Sequence, residues 1–223
     1  MRKNRMIIAA LMLLMTTTFF AGCEKENDDW VDLGLPSGLL WATRNVGASA
    51  PEDYGNYFAW GEISPKSVYN WSTYIYCNGR YNTLTKYCQL SSYGYNRFTD
   101  NLTILQPCDD AATANYGGRT PSKEEWQELM DNTTVSWTTQ KGVKGLLFTA
   151  VNGNSLFLPA AGGRWDSSLA NDGSSGDYWS STLYTDAPDC AWDFFFDFDS
   201  SSKHMGGDDR YDGYSVRAVR PAQ

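Results

Sequence analysis

In this chain of 223 residues, the side chains best suited to bind a metal ion are eight aspartates near the C-terminus. Calcium takes six to eight oxygen ligands, and several of these carboxylates would converge if the last strands paired. Their spacing does not match an EF-hand loop, so a solvated negative face is the alternative; no cofactor is predicted, and calcium stays open. The eight are Asp186, Asp189, Asp193, Asp197, Asp199, Asp208, Asp209 and Asp212.

Aromatic side chains lie among the same polar turns. Flat rings with few rotatable bonds suit stacking on sugars or packing against protein loops, whereas rings inside strands usually serve the core. Rings between Gly, Asp and Ser are better placed for exposure. The predicted ligand-binding residues combine such rings with carboxylate acceptors: Trp165, Tyr184, Asp186, Asp208, Asp209, Tyr211 and Asp212.

No catalytic residue is predicted. His204 is the single histidine, and its Gly- and Ser-rich surroundings lack the rigid frame that a Ser/His/Asp triad requires. No pair of carboxylates stands out as a glycosidase pair. We therefore predict binding and not catalysis, with an enzyme that acts on surface glycans or protein side chains as the alternative.

The N-terminus indicates export and lipid attachment. A basic start and an apolar segment end in Phe20-Ala21-Gly22-Cys23, the pattern of a bacterial lipoprotein signal peptide. We predict a signal peptide over 1–22, a lipid on Cys23 that anchors the chain in a membrane, and an acidic tether over 23–29. The acidic run resembles an export tag for the outer face of the outer membrane. An ordinary signal peptide and a transmembrane helix are the alternatives.

Composition predicts one domain over 30–223. The formal net charge of −8 and the lack of a basic patch argue against nucleic acid as a partner. Nine Trp, fourteen Tyr and ten Phe in a chain of low mean hydropathy favour a loop-rich β domain. Four further cysteines would permit two disulfides with three connectivities, or would stay free thiols: Cys77, Cys88, Cys108 and Cys190.

Local patterns predict the main elements. Ser122-Lys123-Glu124-Glu125 is a capping box that begins a helix with Trp126 on its apolar face. A shorter helix is predicted over 109–116, and Asn152-Gly153 predicts a hairpin turn between two strands. The segment 190–199 alternates, so one face would carry Phe194 and Phe196 and the other the aspartates. Between residues 51 and 107 the chain has no sustained period, which predicts a long irregular region.

Six segments, spread over nearly all of the mature chain, share a recognisable order: Val31–Thr43, Tyr57–Glu62, Arg119–Leu129, Leu158–Gly162, Tyr178–Thr182 and Gly213–Arg220. Together they resemble the FISUMP family, the "Fibrobacter succinogenes major paralogous" domain. The resemblance implies a C-type-lectin-like domain of the α+β class, related to the formylglycine-generating-enzyme fold. Two helices would pack on a twisted antiparallel sheet, and long irregular loops would carry the binding surface.

The predicted function is that of a surface-anchored lipoprotein that acts as a non-enzymatic binding or adhesion module for a glycan or a protein. A structural tip or accessory subunit of a surface appendage is a further alternative. Segments 184–189 and 205–213 also resemble the variable loops of retroelement-diversified proteins, although Asp- and Asn-rich loops of the FISUMP type are the favoured explanation.

Overall fold

The computed structural model describes residues 29–198 and 202–222, and these form thirteen strands and two α-helices. The strands are β1 Trp30–Asp32, β2 Leu39–Ala42, β3 Tyr57–Phe58, β4 Thr133–Gln140, β5 Val143–Ala150, β6 Ser155–Pro159, β7 Gly163–Trp165, β8 Ser168–Ala170, β9 Ser175–Leu183, β10 Cys190–Asp197, β11 Lys203–Asp209, β12 Tyr214–Ser215 and β13 Val219–Pro221. The helices are α1 Ala111–Asn115 and α2 Lys123–Asp131.

A five-stranded sheet in the order β11-β10-β9-β12-β3 positions the candidate site. Strands β9, β10 and β11 are antiparallel neighbours, whereas β12 runs parallel to β9. Two three-stranded sheets, β1-β2-β13 and β4-β5-β6, and the hairpin β7-β8 surround it. Because β13 pairs with β2, the two ends of the described chain are joined in one sheet.

The predicted fold class, α+β with two helices packed on a twisted antiparallel sheet, is wrong. The structure is 39% strand and 10% helix, a β-rich sandwich with little helix. Both predicted helices exist, but α1 has only five residues and α2 nine, so paired strands carry most of the core.

Helix α2 closes one side of the central sheet. The Ser122 side chain accepts a hydrogen bond from the Glu125 backbone amide, and the Glu125 carboxylate accepts one from the Ser122 backbone amide, so the predicted capping box is confirmed. The Trp126 ring has no exposed surface and stacks on Phe194 of β10 at 5.1 Å between centroids. The apolar face of α2 therefore packs on the sheet, as its pattern predicts.

The long irregular region is held by a buried arginine that follows β11. The Arg210 side chain donates hydrogen bonds to the Tyr74 hydroxyl and to the carbonyls of Lys86, Tyr87 and Pro188. Its guanidinium also lies 4.9 Å from the centre of the Trp60 ring. One side chain thus fixes several loop segments against the sheet, because it satisfies three backbone carbonyls and a tyrosine hydroxyl at once.

The four cysteines within the described residues are free thiols. Cys88 is fully buried, Cys77 and Cys190 are half-buried and Cys108 is exposed. None of the three disulfide connectivities that the sequence permits is present.

Candidate functional site

Three adjacent strands bring three carboxylates together. Asp177 lies on β9, Asp193 on β10 and Asp208 on β11, and their carboxylate oxygens lie within 4.8 Å of one another. The strand register explains the convergence: Asp177 pairs with Phe195 and Asp208 with Ala191, each two residues from Asp193. Residues two apart on a strand share a face, so all three side chains point to the same side of the sheet.

This arrangement leaves the central carboxylate buried and unpaired. Asp193 has no exposed surface and Asp177 is 4% exposed. Neither carboxylate oxygen of Asp193 accepts a hydrogen bond. Over residues 29–198 and 202–222, none of the ion pairs involves these aspartates. A buried charge without a partner is costly, so this group requires a proton or a cation.

A fourth carboxylate joins the group through a tyrosine. The Tyr214 hydroxyl lies 2.9 Å from Asp208 Oδ2 and 3.4 Å from Asp212 Oδ2. Asp212 is 4% exposed and its Oδ1 has no hydrogen-bond partner. Trp165 packs its ring 5.9 Å from the Tyr214 ring and lies within hydrogen-bonding reach of Asp212. We refer to Asp177, Asp193, Asp208 and Asp212 as the carboxylate cluster.

Burial also changes the proton affinity of this cluster. Burial, with a smaller contribution from Asp208, raises the pKa of Asp177 to about 7. Burial, then the neighbouring Asp209 and Asp208, raises the pKa of Asp212 to about 8. The pKa of Asp193 is raised well above its usual range, mainly by burial. These side chains cannot all be charged at neutral pH unless a positive charge lies among them.

A second group of residues forms a partly exposed aromatic surface. The half-buried rings of Trp71 and Tyr211 meet edge to face, with centroids 5.0 Å apart. The Tyr211 side chain lies within hydrogen-bonding reach of Asp209, and the Asn70 amide donates to Asp166 Oδ1 at 2.8 Å. Backbone pairing of Tyr69 with Asp166 brings these segments together. We call Asn70, Trp71, Asp166, Asp209 and Tyr211 the aromatic patch.

A cleft of about 340 Å³ opens beside this patch. Its lining includes Tyr57, Lys66, Tyr69 and Arg164. The Arg164 guanidinium lies 5.0 Å from the centre of the Tyr57 ring, and in the described chain it makes no ion pair. Positive charge therefore borders the acidic aromatic patch.

Two of the predicted binding residues lie away from both groups. Tyr184 packs on Trp192 at 4.6 Å and covers Gly207. Because Gly207 and Asp208 are consecutive in β11, they face opposite sides of the sheet, and Tyr184 lies opposite the carboxylate cluster. Asp186 is exposed in the turn between β9 and β10. The predicted set thus divides: Trp165, Asp208 and Asp212 meet at the cluster, and Asp209 and Tyr211 at the patch.

The remaining candidates from the sequence are Cys190, His204, Asp197 and Asp199. Cys190 lies with Asp189 and Asp209, and burial, then the charge of Asp189, raises the pKa of its thiol to about 12. The thiol is thus held in its protonated, weakly nucleophilic form. His204 is exposed and its ring contacts Phe195 at 5.4 Å. Asp197 lies at the end of β10, and Asp199 lies outside the described residues.

Asp177 and Trp71 are site residues that the sequence reasoning missed. Asp177 stands in Ser175-Gly-Asp-Tyr-Trp179, where a carboxylate inside a strongly aromatic strand was the available signal. An acid in such a strand is rarely buried without a function or a partner. Trp71 also lies between polar loop residues, Asn70 and Ser72, but it falls in the long irregular region, far in the chain from the aspartates that marked the predicted surface.

Cys23 and residues 23–28 of the tether lie outside the described residues. Within the described ranges, no helix combines the length and the apolar character that crossing a membrane requires.

Comparisons of the chain with protein-family models, with curated proteins and with solved structures found no match. The FISUMP resemblance therefore stays a prediction.

Proposed function

We propose that this chain is a non-enzymatic binding module that engages a glycan or a protein through the aromatic patch, and that a lipid on Cys23 holds it at the cell surface. The contact between Trp71 and Tyr211 carries the proposal. Two adjacent rings, each half-buried, combine a fixed position with an exposed face. Such rings lose little conformational entropy when a ligand binds.

The polar members of the patch supply the second half of a recognition surface. Carboxylates of Asp166 and Asp209 accept hydrogen bonds from sugar hydroxyls or from backbone amides of a protein partner. The adjacent cleft adds Arg164, a planar donor suited to carboxylate groups. Stacking with a few directed polar contacts is the pattern that sugar-binding and protein-binding loops use.

Burial favours binding over catalysis. A catalytic carboxylate must touch the reacting atoms, whereas Asp193, the central member of the carboxylate cluster, has no exposed surface. The protonated Cys190 thiol and the isolated His204 ring give no activated nucleophile. The aromatic patch is partly exposed, and its rings and hydrogen-bonding groups are suited to binding a ligand.

A glycan and protein array probed with the purified lipoprotein in detergent tests this proposal. We expect a restricted set of ligands and loss of binding in the variant with Trp71→Ala and Tyr211→Ala. Tyr81→Ala is the matched control, because Tyr81 also contacts another ring edge to face, that of Tyr93, and is 50% exposed. Folded wild-type protein without any array ligand, or a double variant with undiminished binding, would contradict the proposal.

A further inference from the structure

We propose that the carboxylate cluster binds one calcium ion. The carboxylate oxygens of Asp177, Asp193 and Asp208 lie within 4.8 Å of one another. Three oxygens within this limit lie no more than about 2.8 Å from a common centre, and they can close on a single ion at the calcium–oxygen distance of ~2.3–2.6 Å with small side-chain movements. The proposal rests on this cluster alone and does not depend on the ligand of the aromatic patch.

The buried side chain of Asp193 gives an observation independent of the number of acids. It has no exposed surface, both of its oxygens lack a hydrogen-bond donor, and one of them lies within 4.8 Å of a carboxylate oxygen of Asp177 and of Asp208. Surface acids satisfy their oxygens with water, but Asp193 has no access to it. In the described chain no lysine or arginine pairs with the cluster. A bound cation supplies the missing charge and the missing contacts together.

The neighbouring strand, β11, leaves space for the Asp193 carboxylate. Gly206 pairs with Asp193 across the ladder, and a Cβ at position 206 would lie 2.9 Å from Asp193 Oδ1. Any other residue would push the carboxylate from its position. The glycine therefore preserves the arrangement of oxygens that the cluster presents.

The donor atoms select the kind of ion. The cluster offers oxygen alone, which suits calcium and magnesium better than zinc or copper, ions that prefer nitrogen and sulfur ligands. Each of the three carboxylates brings at least one oxygen to the group, and Asp212 lies next to them through Tyr214. Magnesium requires shorter bonds and strict octahedral geometry, whereas calcium accepts the irregular arrangement of oxygens that three different strands fix.

Calcium titration of the whole lipoprotein in detergent tests the site. After removal of bound metal with a chelator, we expect calorimetry to give one calcium per chain and the melting temperature to rise with added calcium. Terbium should bind at the same place and emit when the protein rings are excited, because Trp179 pairs with Asp193 and its ring lies 4.6 Å from that of Tyr214. Calcium should displace it.

Variants locate the ion. Asp193→Asn keeps the shape of the side chain and removes its charge. We therefore expect a folded protein that no longer binds calcium and whose melting temperature does not change when calcium is added. Asp186→Asn is the control, since Asp186 is an exposed acid of the β9–β10 turn, and it should bind normally. Asp209→Asn separates this cluster from the neighbouring group of Asp189, Cys190 and Asp209, and should also retain binding.

Three results would overturn the proposal. The first is folded, metal-free wild-type protein that shows neither binding heat nor a shift in melting temperature with calcium. The second is Asp193→Asn with full calcium binding, or Asp209→Asn without it. The third is tighter binding of magnesium than of calcium, which would refute the identity of the ion.

Discussion

Asp193 and Gly206 face each other across the ladder between β10 and β11, and the space that Gly206 leaves open is filled by the Asp193 carboxylate. The next residue along β11 does the same on the opposite face, where a Cβ at Gly207 would lie 2.6 Å from the Tyr184 ring. Two consecutive glycines thus accommodate two different side chains on opposite sides of one strand. They form a natural pair of test and control.

We expect Gly206→Ala to weaken calcium binding by about 10-fold or more, the size typical of changes around a metal ligand. The added methyl group would displace Asp193 Oδ1, because the buried side chain has little room to move. Calorimetric titration of the variant measures the effect. Gly207→Ala disturbs Tyr184 instead and should leave the affinity unchanged, so equal losses in the two variants would refute the argument.

Trp126→Ala should lower the free energy of unfolding by ~3–5 kcal/mol, the usual cost of truncating a large buried ring. Its ring is fully buried, stacks on Phe194 and meets Trp41 edge to face at 4.9 Å. Urea denaturation followed by circular dichroism gives the value. The comparison is Tyr95→Ala, which removes a ring that is 43% exposed and should change stability by no more than ~0.5 kcal/mol. Similar values for the two would show that α2 does not anchor the core.

Short-range features of the fold could be predicted from the sequence. The capping box of α2 depends on Ser122 and Glu125, three residues apart, and the β5–β6 hairpin on Asn152-Gly153. In each case the partners are close in the chain, so side-chain and turn preferences decide the outcome. The proportion of helix to strand could not be predicted in this way, because a capping box marks where a helix begins but not where it ends.

Pairing between strands that are distant in the chain determines which faces of β10 are buried, and this could not be predicted from the sequence. Alternation along β10 indicates two faces, and Phe194 and Phe196 are buried on one of them. Asp193, on the other face, is also buried. Which face meets water depends on strands far away in the chain, and alternation alone does not contain that information. Asp177 likewise reaches the carboxylate cluster only because β9 pairs with β10.

The stability of the domain should fall as acid protonates Asp109. Burial alone would raise the pKa of this carboxyl, but hydrogen bonds from Lys86, Tyr87 and Tyr76 outweigh it and lower the pKa below its usual value. The folded state then holds fewer protons on this group than the unfolded state does near pH 4. The contribution is present above the unfolded pKa of about 4 and is lost as the pH falls through the lower, folded pKa.

Asp109→Asn isolates that contribution from other titrating groups. We expect the variant to be less stable than wild type at pH 7, and the difference to shrink as the pH falls below about 4. Denaturation curves of both proteins at several pH values measure this difference directly. A gap that stays constant or widens in acid would show that the charge of Asp109 does not stabilise the fold.

Membrane attachment should depend on Cys23. Each methylene group of an acyl chain buried in a membrane contributes ~0.8 kcal/mol, so loss of the lipid should release the protein. We expect Cys23→Ala to move the protein from the membrane fraction to the soluble fraction and to abolish incorporation of labelled fatty acid. Cys108→Ala removes an exposed thiol of the folded domain and should change neither result. Membrane partition and acyl label that persist in Cys23→Ala would refute the lipoprotein hypothesis and leave the binding surface of the domain untouched.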